Sequence, residues 1–103
     1  MKSQINFGNL GGGEPNYTDV VNFAETLING DKTITVSALS SIKAVFYRYT
    51  TRPQQFYGWA VLDNGTYDIY NASNIGITSV SGNEVTLHWN GADVLDFFVL
   101  GQA

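Results

Sequence analysis

The chain has 103 residues, of which 44% are hydrophobic and 14% are charged, and this length suits one compact domain. Its formal net charge of −4 offers no basic surface to a phosphate backbone or an anionic membrane, so nucleic-acid binding is disfavoured. The sequence contains no apolar run of 18 residues, so membrane insertion is not expected. The chain contains no cysteine, which excludes disulfides, a thiolate nucleophile and cysteine-ligated zinc.

Residues 1–15 are predicted to form a flexible N-terminal arm, and residues 16–103 to form the folded domain. The arm carries isolated apolar residues ahead of Gly11-Gly12-Gly13-Glu14-Pro15, a stretch with too little side chain to pack into a core. An arm of this kind is suited to becoming ordered on a partner. Its candidate partner-binding residues are Ile5, Phe7 and Leu10.

Residues 16–28 fit two periodicities. Apolar residues at helical spacing, with Pro15 ahead of them and a glycine after them, indicate a short helix. Alternating apolar residues in the same stretch favour a strand. In that case Asn29-Gly30 predicts a hairpin that joins Glu25–Ile28 to Lys32–Val36. The sequence alone supports both alternatives.

The middle of the chain predicts strands more clearly. Two segments rich in β-branched and aromatic residues, Ile42–Tyr49 and Phe56–Leu62, flank the polar loop Thr50–Gln55. The Asn64-Gly65 dipeptide tolerates the positive φ angles that a type I′ turn needs. We therefore expect Phe56–Asp63 to pair with Thr66–Asn71.

A second hairpin and a final strand complete the pattern. Ile75–Val80 leads through Ser81-Gly82-Asn83 into Glu84–Trp89, which alternates apolar and polar residues. The last strand, Val94–Leu100, is apolar on both faces except at Asp96, as is typical of a sheet that is covered on both sides. The chain is thus predicted to be mainly β, a single antiparallel β-sandwich or jelly-roll-like domain.

No catalytic or metal-binding motif is recognisable. His88 is the only histidine and falls on the face of its strand opposite the apolar residues. No Gly-x-Ser-x-Gly motif or calcium loop is present, and Asp93 and Asp96 are the one close acidic pair in the predicted strands. The sequence therefore predicts a non-enzymatic protein with no catalytic residue, no cofactor and no metal.

Aromatic residues make up 14% of the chain, many for a core of this size, and they concentrate in the central strands. An aromatic sheet face beside amide side chains suits either packing between subunits or stacking against sugar rings. A carbohydrate-binding module is accordingly the alternative function. The candidate surface or interface aromatics are Tyr57, Trp59, Tyr67 and Tyr70.

The segment Gly11-Gly12-Gly13-Glu14-Pro15-Asn16-Tyr17-Thr18-Asp19-Val20-Val21 resembles small bacteriophage virion proteins, in which a glycine-rich arm leads into a short β domain. The likeness continues through Ser41–Arg48, Phe56–Ala60 and Asn74–Thr78. The resemblance implies a structural protein located in the virion and assembled in the host cytoplasm.

Such a protein is commonly a homotrimer that joins other virion proteins as a tail-fibre, baseplate, receptor-binding or capsid-decoration module. The family resemblance also implies contact with the host surface, including a host-surface glycan. The chain lacks the long repetitive segments of a fibre shaft, which favours a small accessory or tip protein.

Overall fold

The structure, a computed structural model, describes residues 19–103. The described chain contains eight strands and no helix. The predicted arm, with Ile5, Phe7 and Leu10, lies outside the described residues. The strands are β1 (Asp19–Leu27), β2 (Gly30–Thr35), β3 (Ser41–Tyr49), β4 (Gly58–Asp63), β5 (Thr66–Asn71), β6 (Gly76–Ser81), β7 (Glu84–Trp89) and β8 (Asp93–Gln102).

The strands form two antiparallel sheets that pack face to face, which confirms the mainly β, sandwich-like prediction. One sheet has the order β1-β8-β3-β4-β5 and the other the order β2-β7-β6. Alternate residues of each strand point between the sheets and form one core. The largest fully buried side chains of this core are Trp89, Tyr47, Phe97, Leu27, Ile42, Leu87 and Leu95.

Both predicted hairpins are confirmed. Asp63 and Thr66 close the turn between β4 and β5, and Asn64 (φ 53°) and Gly65 (φ 88°) both adopt the positive φ of a type I′ turn. Ser81 pairs with Glu84 around the turn between β6 and β7, where Gly82 has φ 60°. The turn chemistry read from the sequence therefore sets the register of both pairs.

The helix alternative for residues 16–28 is wrong over the described part of that segment, because β1 pairs with β8 from Asp19 to Leu27. The hairpin predicted between Glu25–Ile28 and Lys32–Val36 is also wrong, since β1 and β2 belong to different sheets. A type I′ turn needs two residues with positive φ, but only Gly30 of the Asn29-Gly30 pair has one. The Asn29 side-chain oxygen instead accepts a hydrogen bond from the backbone N–H of Gly91.

On one side of the sandwich, the side chain of Asn71 joins the two sheets. Its oxygen accepts hydrogen bonds from the Tyr47 hydroxyl (2.7 Å) and from the Ile77 N–H (2.9 Å), and its NH2 group donates to the Ile77 carbonyl (2.9 Å). Asn71 lies at the end of β5 and Ile77 lies in β6. The Asn71 side-chain amide therefore bonds to both backbone groups of Ile77, as a neighbouring strand would, and links the two sheets. A Cβ atom at Gly76 would overlap the Asn71 and Tyr47 side chains, which explains a glycine at this position.

Candidate functional site

The side of the five-stranded sheet that faces away from the three-stranded sheet, here called the outer face, carries a row of four aromatic residues. Phe98, Phe46, Trp59 and Tyr70 occupy directly paired positions on β8, β3, β4 and β5. Residues that are opposite each other in antiparallel strands project from the same face. We call these four residues the aromatic row; it runs across four adjacent strands.

Three rings of the aromatic row, those of Phe46, Trp59 and Tyr70, contact one another in sequence, and Phe56 links Phe98 to them. The ring centres of Phe46 and Trp59 are 6.3 Å apart, and those of Trp59 and Tyr70 are 4.7 Å apart with 29° between their planes. The Phe56 ring lies 5.3 Å from Phe46 and 5.5 Å from Phe98. Tyr70 and Phe56 are nevertheless 48% and 40% exposed, so the described chain leaves this cluster only partly covered.

A single ion pair, Arg48 with Asp96, lies beside the aromatic row. Arg48 Nε is 3.5 Å from Asp96 Oδ2, and the guanidinium carbon lies 4.7 Å from the centre of the Phe98 ring. Arg48 Nη1 also donates to the carbonyl of Pro53, in the exposed polar loop Thr50–Gln55. The two charges largely neutralise each other, so the centre of the outer face offers an apolar surface without excess charge.

This ion pair is not among the sequence-based predictions, although the sequence contains a signal for the pairing. Asp96 is the one charged residue in the apolar run Val94–Leu100, and Arg48 stands in the otherwise apolar end of Ile42–Tyr49. Opposite charges directly across neighbouring strands stabilise their pairing. The two complementary residues therefore favour the β3–β8 pair, which the structure contains with Arg48 opposite Asp96.

The outward face of the three-stranded sheet has the opposite character. Thr33 and Thr86 hydrogen-bond across β2 and β7 at 3.0 Å, and the exposed His88 Nδ1 lies 2.7 Å from Asp31 Oδ1. This polar face is what an antiparallel sheet normally presents to water. The contrast indicates that the apolar character of the outer face is specific to the five-stranded sheet.

The four aromatics predicted at a surface divide into two pairs. Trp59 and Tyr70 lie on the outer face, as described above. Tyr57 turns toward the core, where its ring centre lies 4.9 Å from that of Tyr49, and the Tyr67 hydroxyl donates to the Ile42 carbonyl at 2.7 Å. The structure thus brings only two of the four predicted residues into one surface.

The residues considered for catalysis do not converge. Asp93 accepts a hydrogen bond from the Trp89 indole at 2.9 Å on the core side of β8, whereas Asp96 projects from the outer face. His88 lies on the other sheet, beside Asp31. Residues 19–103 contain no group of three or more histidine, aspartate or glutamate side chains placed to hold a metal ion.

Three tyrosine hydroxyls near the core have raised pKa values. Burial raises the pKa of Tyr47 well above its ordinary value of 10, and the neighbouring Tyr57 and Tyr49 add to this effect. Burial and the neighbouring Tyr57 raise the pKa of Tyr49, and burial raises the pKa of Tyr67. Folding therefore holds these three groups in the protonated form.

These shifts predict loss of stability in alkali. A tyrosine with a folded pKa above its unfolded pKa contributes its full stability below about pH 10, and that contribution disappears as the pH rises further. We expect the urea midpoint to fall steeply between about pH 10 and 12, and Tyr47→Phe to make this fall shallower. Urea titrations of both chains across this range measure it. An equally steep fall in the variant would contradict the assignment to Tyr47.

These features define the protein as an antiparallel β-sandwich that has one polar and one aromatic outward face. No protein-family model matches the chain, and neither a curated protein nor a solved structure with significant similarity was found. No helix within residues 19–103 has the length and apolar character needed to cross a membrane.

Proposed function

We propose that this chain is a non-catalytic structural module that associates with copies of itself through the outer face. The observation that carries the proposal is the aromatic row, which the described residues leave partly exposed. Val94–Leu100 has the two-sided apolar pattern of a covered strand, but within residues 19–103 no second sheet lies on its outer side, where Val94 is exposed and Phe98 is half-buried. Association between outer faces would cover the second side and remove the row from water.

The dimensions of the outer face suit such an interface. Five strands about 4.8 Å apart, over some 20 Å of their length, give a face of roughly 500 Å² in projection. Its accessible area is larger, because the side chains stand in relief. A standard protein interface uses about 800 Å² from each partner, with aromatic residues enriched and unpaired charges depleted at its centre.

The arrangement of charges also favours a contact between identical faces. Arg48 and Asp96 already pair within one chain, so a copy need not supply a counter-charge. The exposed Asp68 lies at the β5 edge, two residues from Tyr70 on the same face, where it would remain at the hydrated rim. Closed association of this face, as a twofold pair or a threefold prism, limits the assembly to a defined size.

The setting of this assembly is proposed from the motif resemblance alone. The segment 11–21 resembles the arm of small phage virion proteins, and this favours a homotrimer in a tail, baseplate or capsid-decoration role. Detection of the chain in purified particles by mass spectrometry, in stoichiometric amounts, tests the setting separately from the association.

Glycan binding is the second candidate, favoured by the exposure of Tyr70 and by the neighbouring Asp68 carboxylate. An aromatic ring and a nearby hydrogen-bond acceptor together suit a sugar. Trp59 and Tyr70 are stacked on each other, however, so one face of each ring is already occupied. This geometry favours a protein contact over a flat sugar platform.

Fluorine NMR of the chain labelled with fluorotryptophan distinguishes the two functions. The chain has two tryptophans: Trp59 lies on the outer face and Trp89 is 1% exposed in the core. We expect the Trp59 resonance to shift or broaden as protein concentration increases, while the Trp89 resonance stays unchanged. Trp89 therefore serves as an internal control.

The addition of a panel of oligosaccharides to a dilute sample provides the second comparison. A Trp59 shift that depends on a glycan and not on protein concentration would replace self-association with glycan binding. A Trp59 resonance that responds to neither would contradict both functions.

A further inference from the structure

Besides the outer face, the sandwich has a second uncovered feature, the free edge of β1. This strand is the first of the five-stranded sheet and pairs only with β8 among residues 19–103. It is nine residues long, and it contains neither the proline nor the lysine that commonly protect edge strands. The other edge of the same sheet, β5, is shorter and is joined to the second sheet by Asn71.

The backbone groups on this free edge can be assigned from one contact. Lys32 Nζ reaches across from β2 and donates to the Thr26 carbonyl at 3.5 Å, so Thr26 directs its backbone groups away from β8. Backbone groups of alternate residues in a strand point to the same edge. Val20, Asn22 and Ala24 therefore direct their N–H and C=O groups outward, and none of them bonds to another backbone group in the described chain.

An apolar groove of about 290 Å³ lies beside this edge, between the two sheets. Val21 and Phe23 line it from β1, and Ile34 and Val36 line it from β2 and the segment after it. Glu25 also faces the groove, but it pairs with Lys32 at 2.9 Å and so closes the far end. The open part of the groove lies toward Asp19, the residue that residues 1–18 join.

We propose that the Ser3–Leu10 segment of the same chain adds to the free edge of β1 as an antiparallel strand and places Ile5 and Phe7 over this groove. Ile5 and Phe7 are two positions apart, so they project from the same side of an extended strand, while Leu10 projects from the other side. An added strand supplies partners for the three outward N–H groups of β1.

The connection between this segment and β1 favours the same chain over a second copy. Eight residues, Gly11–Thr18, separate Leu10 from Asp19, and they include three consecutive glycines. Reversal between paired strands commonly takes two to five residues, so about eight are sufficient. A tether of this length holds the segment near the groove at an effective concentration in the millimolar range, which a separate copy reaches only in concentrated solution.

The proposal gives Ile5 and Phe7 a binding surface and is independent of the proposed function. A strand added to β1 protects the edge, so copies would meet through the outer face and not edge to edge. Removal of the segment from the groove is therefore expected to leave association through the aromatic row in place.

A spin-label experiment tests the proposal on the full-length chain. The chain has no cysteine, so a nitroxide attached through Ser3→Cys occupies one site. We expect it to broaden the backbone amides of Ile34 and Val36, and we expect the amides of Val20, Asn22 and Ala24 to exchange with solvent at least about tenfold more slowly than unprotected amides. Phe7→Asp should abolish both effects, because the apolar part of the groove, lined by Val21, Phe23 and Ile34, supplies no counter-charge for a carboxylate. Asn6→Asp, which adds the same charge on the opposite side of the extended strand, should retain them.

A mixture of spin-labelled chain and isotope-labelled chain without a spin label shows whether the segment binds its own chain or a second copy. Broadening within one chain, but not in the mixture, supports the proposal. Broadening only in the mixture would overturn it in favour of exchange between copies. Rapid exchange of the three β1 amides in the unsubstituted chain would also overturn it. Light scattering of Phe7→Asp keeps this test separate from the proposed function. We expect the mass of this variant to equal that of the unsubstituted chain, because association through the outer face does not depend on the segment.

Discussion

Replacement of Asn71 by alanine is expected to lower the free energy of unfolding by about 2–4 kcal/mol. The substitution removes three hydrogen bonds at once, because the Asn71 amide contacts the Tyr47 hydroxyl and both backbone groups of Ile77. Tyr47 is fully buried, so its hydroxyl would lose its partner in a site that water does not reach. The loss of a buried partner costs about 1–3 kcal/mol for each polar group left unsatisfied.

Urea denaturation at neutral pH measures this effect, and Asn74→Ala is the matched control. Asn74 is exposed, lies three residues further along the chain, and makes no side-chain hydrogen bond within the described residues. We expect the control to change the unfolding free energy by less than about 0.5 kcal/mol. An Asn71→Ala variant as stable as the control would show that the amide does not hold the two sheets together.

Phe98→Glu is expected to disrupt association while the fold remains intact. Phe98 lies in the middle of the outer face, and the Arg48 guanidinium beside its ring can pair with the new carboxylate in the isolated chain. Burial of that charge against a second apolar face would be strongly unfavourable. Central interface residues contribute about 2 kcal/mol or more, so we expect the dissociation constant to rise at least about 30-fold.

Sedimentation velocity over a range of concentrations measures the change, and Ser79→Glu is its control. Ser79 is exposed on β6, opposite Thr86, so this variant adds the same charge to the polar face of the other sheet. The control should associate like the unsubstituted chain. Equal dissociation of both variants would indicate a general charge effect, and no effect of Phe98→Glu would exclude the outer face as the interface.

Local turn chemistry and strand patterns were predictable from the sequence. Asn64-Gly65 formed the expected hairpin because the strands on both sides of it could pair in the same sheet. Asn29-Gly30, the same dipeptide, did not, because β1 pairs with β8 from the other end of the chain. Local signals therefore identify a turn, but distant pairing decides which strands that turn connects.

The composition of the outer face was only partly predictable. The two-sided apolar pattern of Val94–Leu100 indicated a covered strand, yet the alignment of the aromatic row depends on the register of four strands. Tyr57 shows the same limit, since β4 begins at Gly58 and the Tyr57 ring packs on the core side, although it lies only two residues before Trp59. The Asn71 contacts had no sequence signal, because they depend on how β5 and β6 meet.

The most direct test of the central claim is the solution mass of the full-length chain, measured by light scattering after size exclusion at several concentrations. Association through the outer face predicts a small closed oligomer, with a mass that is an integral multiple of 11.3 kDa and a trimer favoured by the virion resemblance. A mass of 11.3 kDa at every concentration would contradict the claim, because the aromatic row would then remain open in solution.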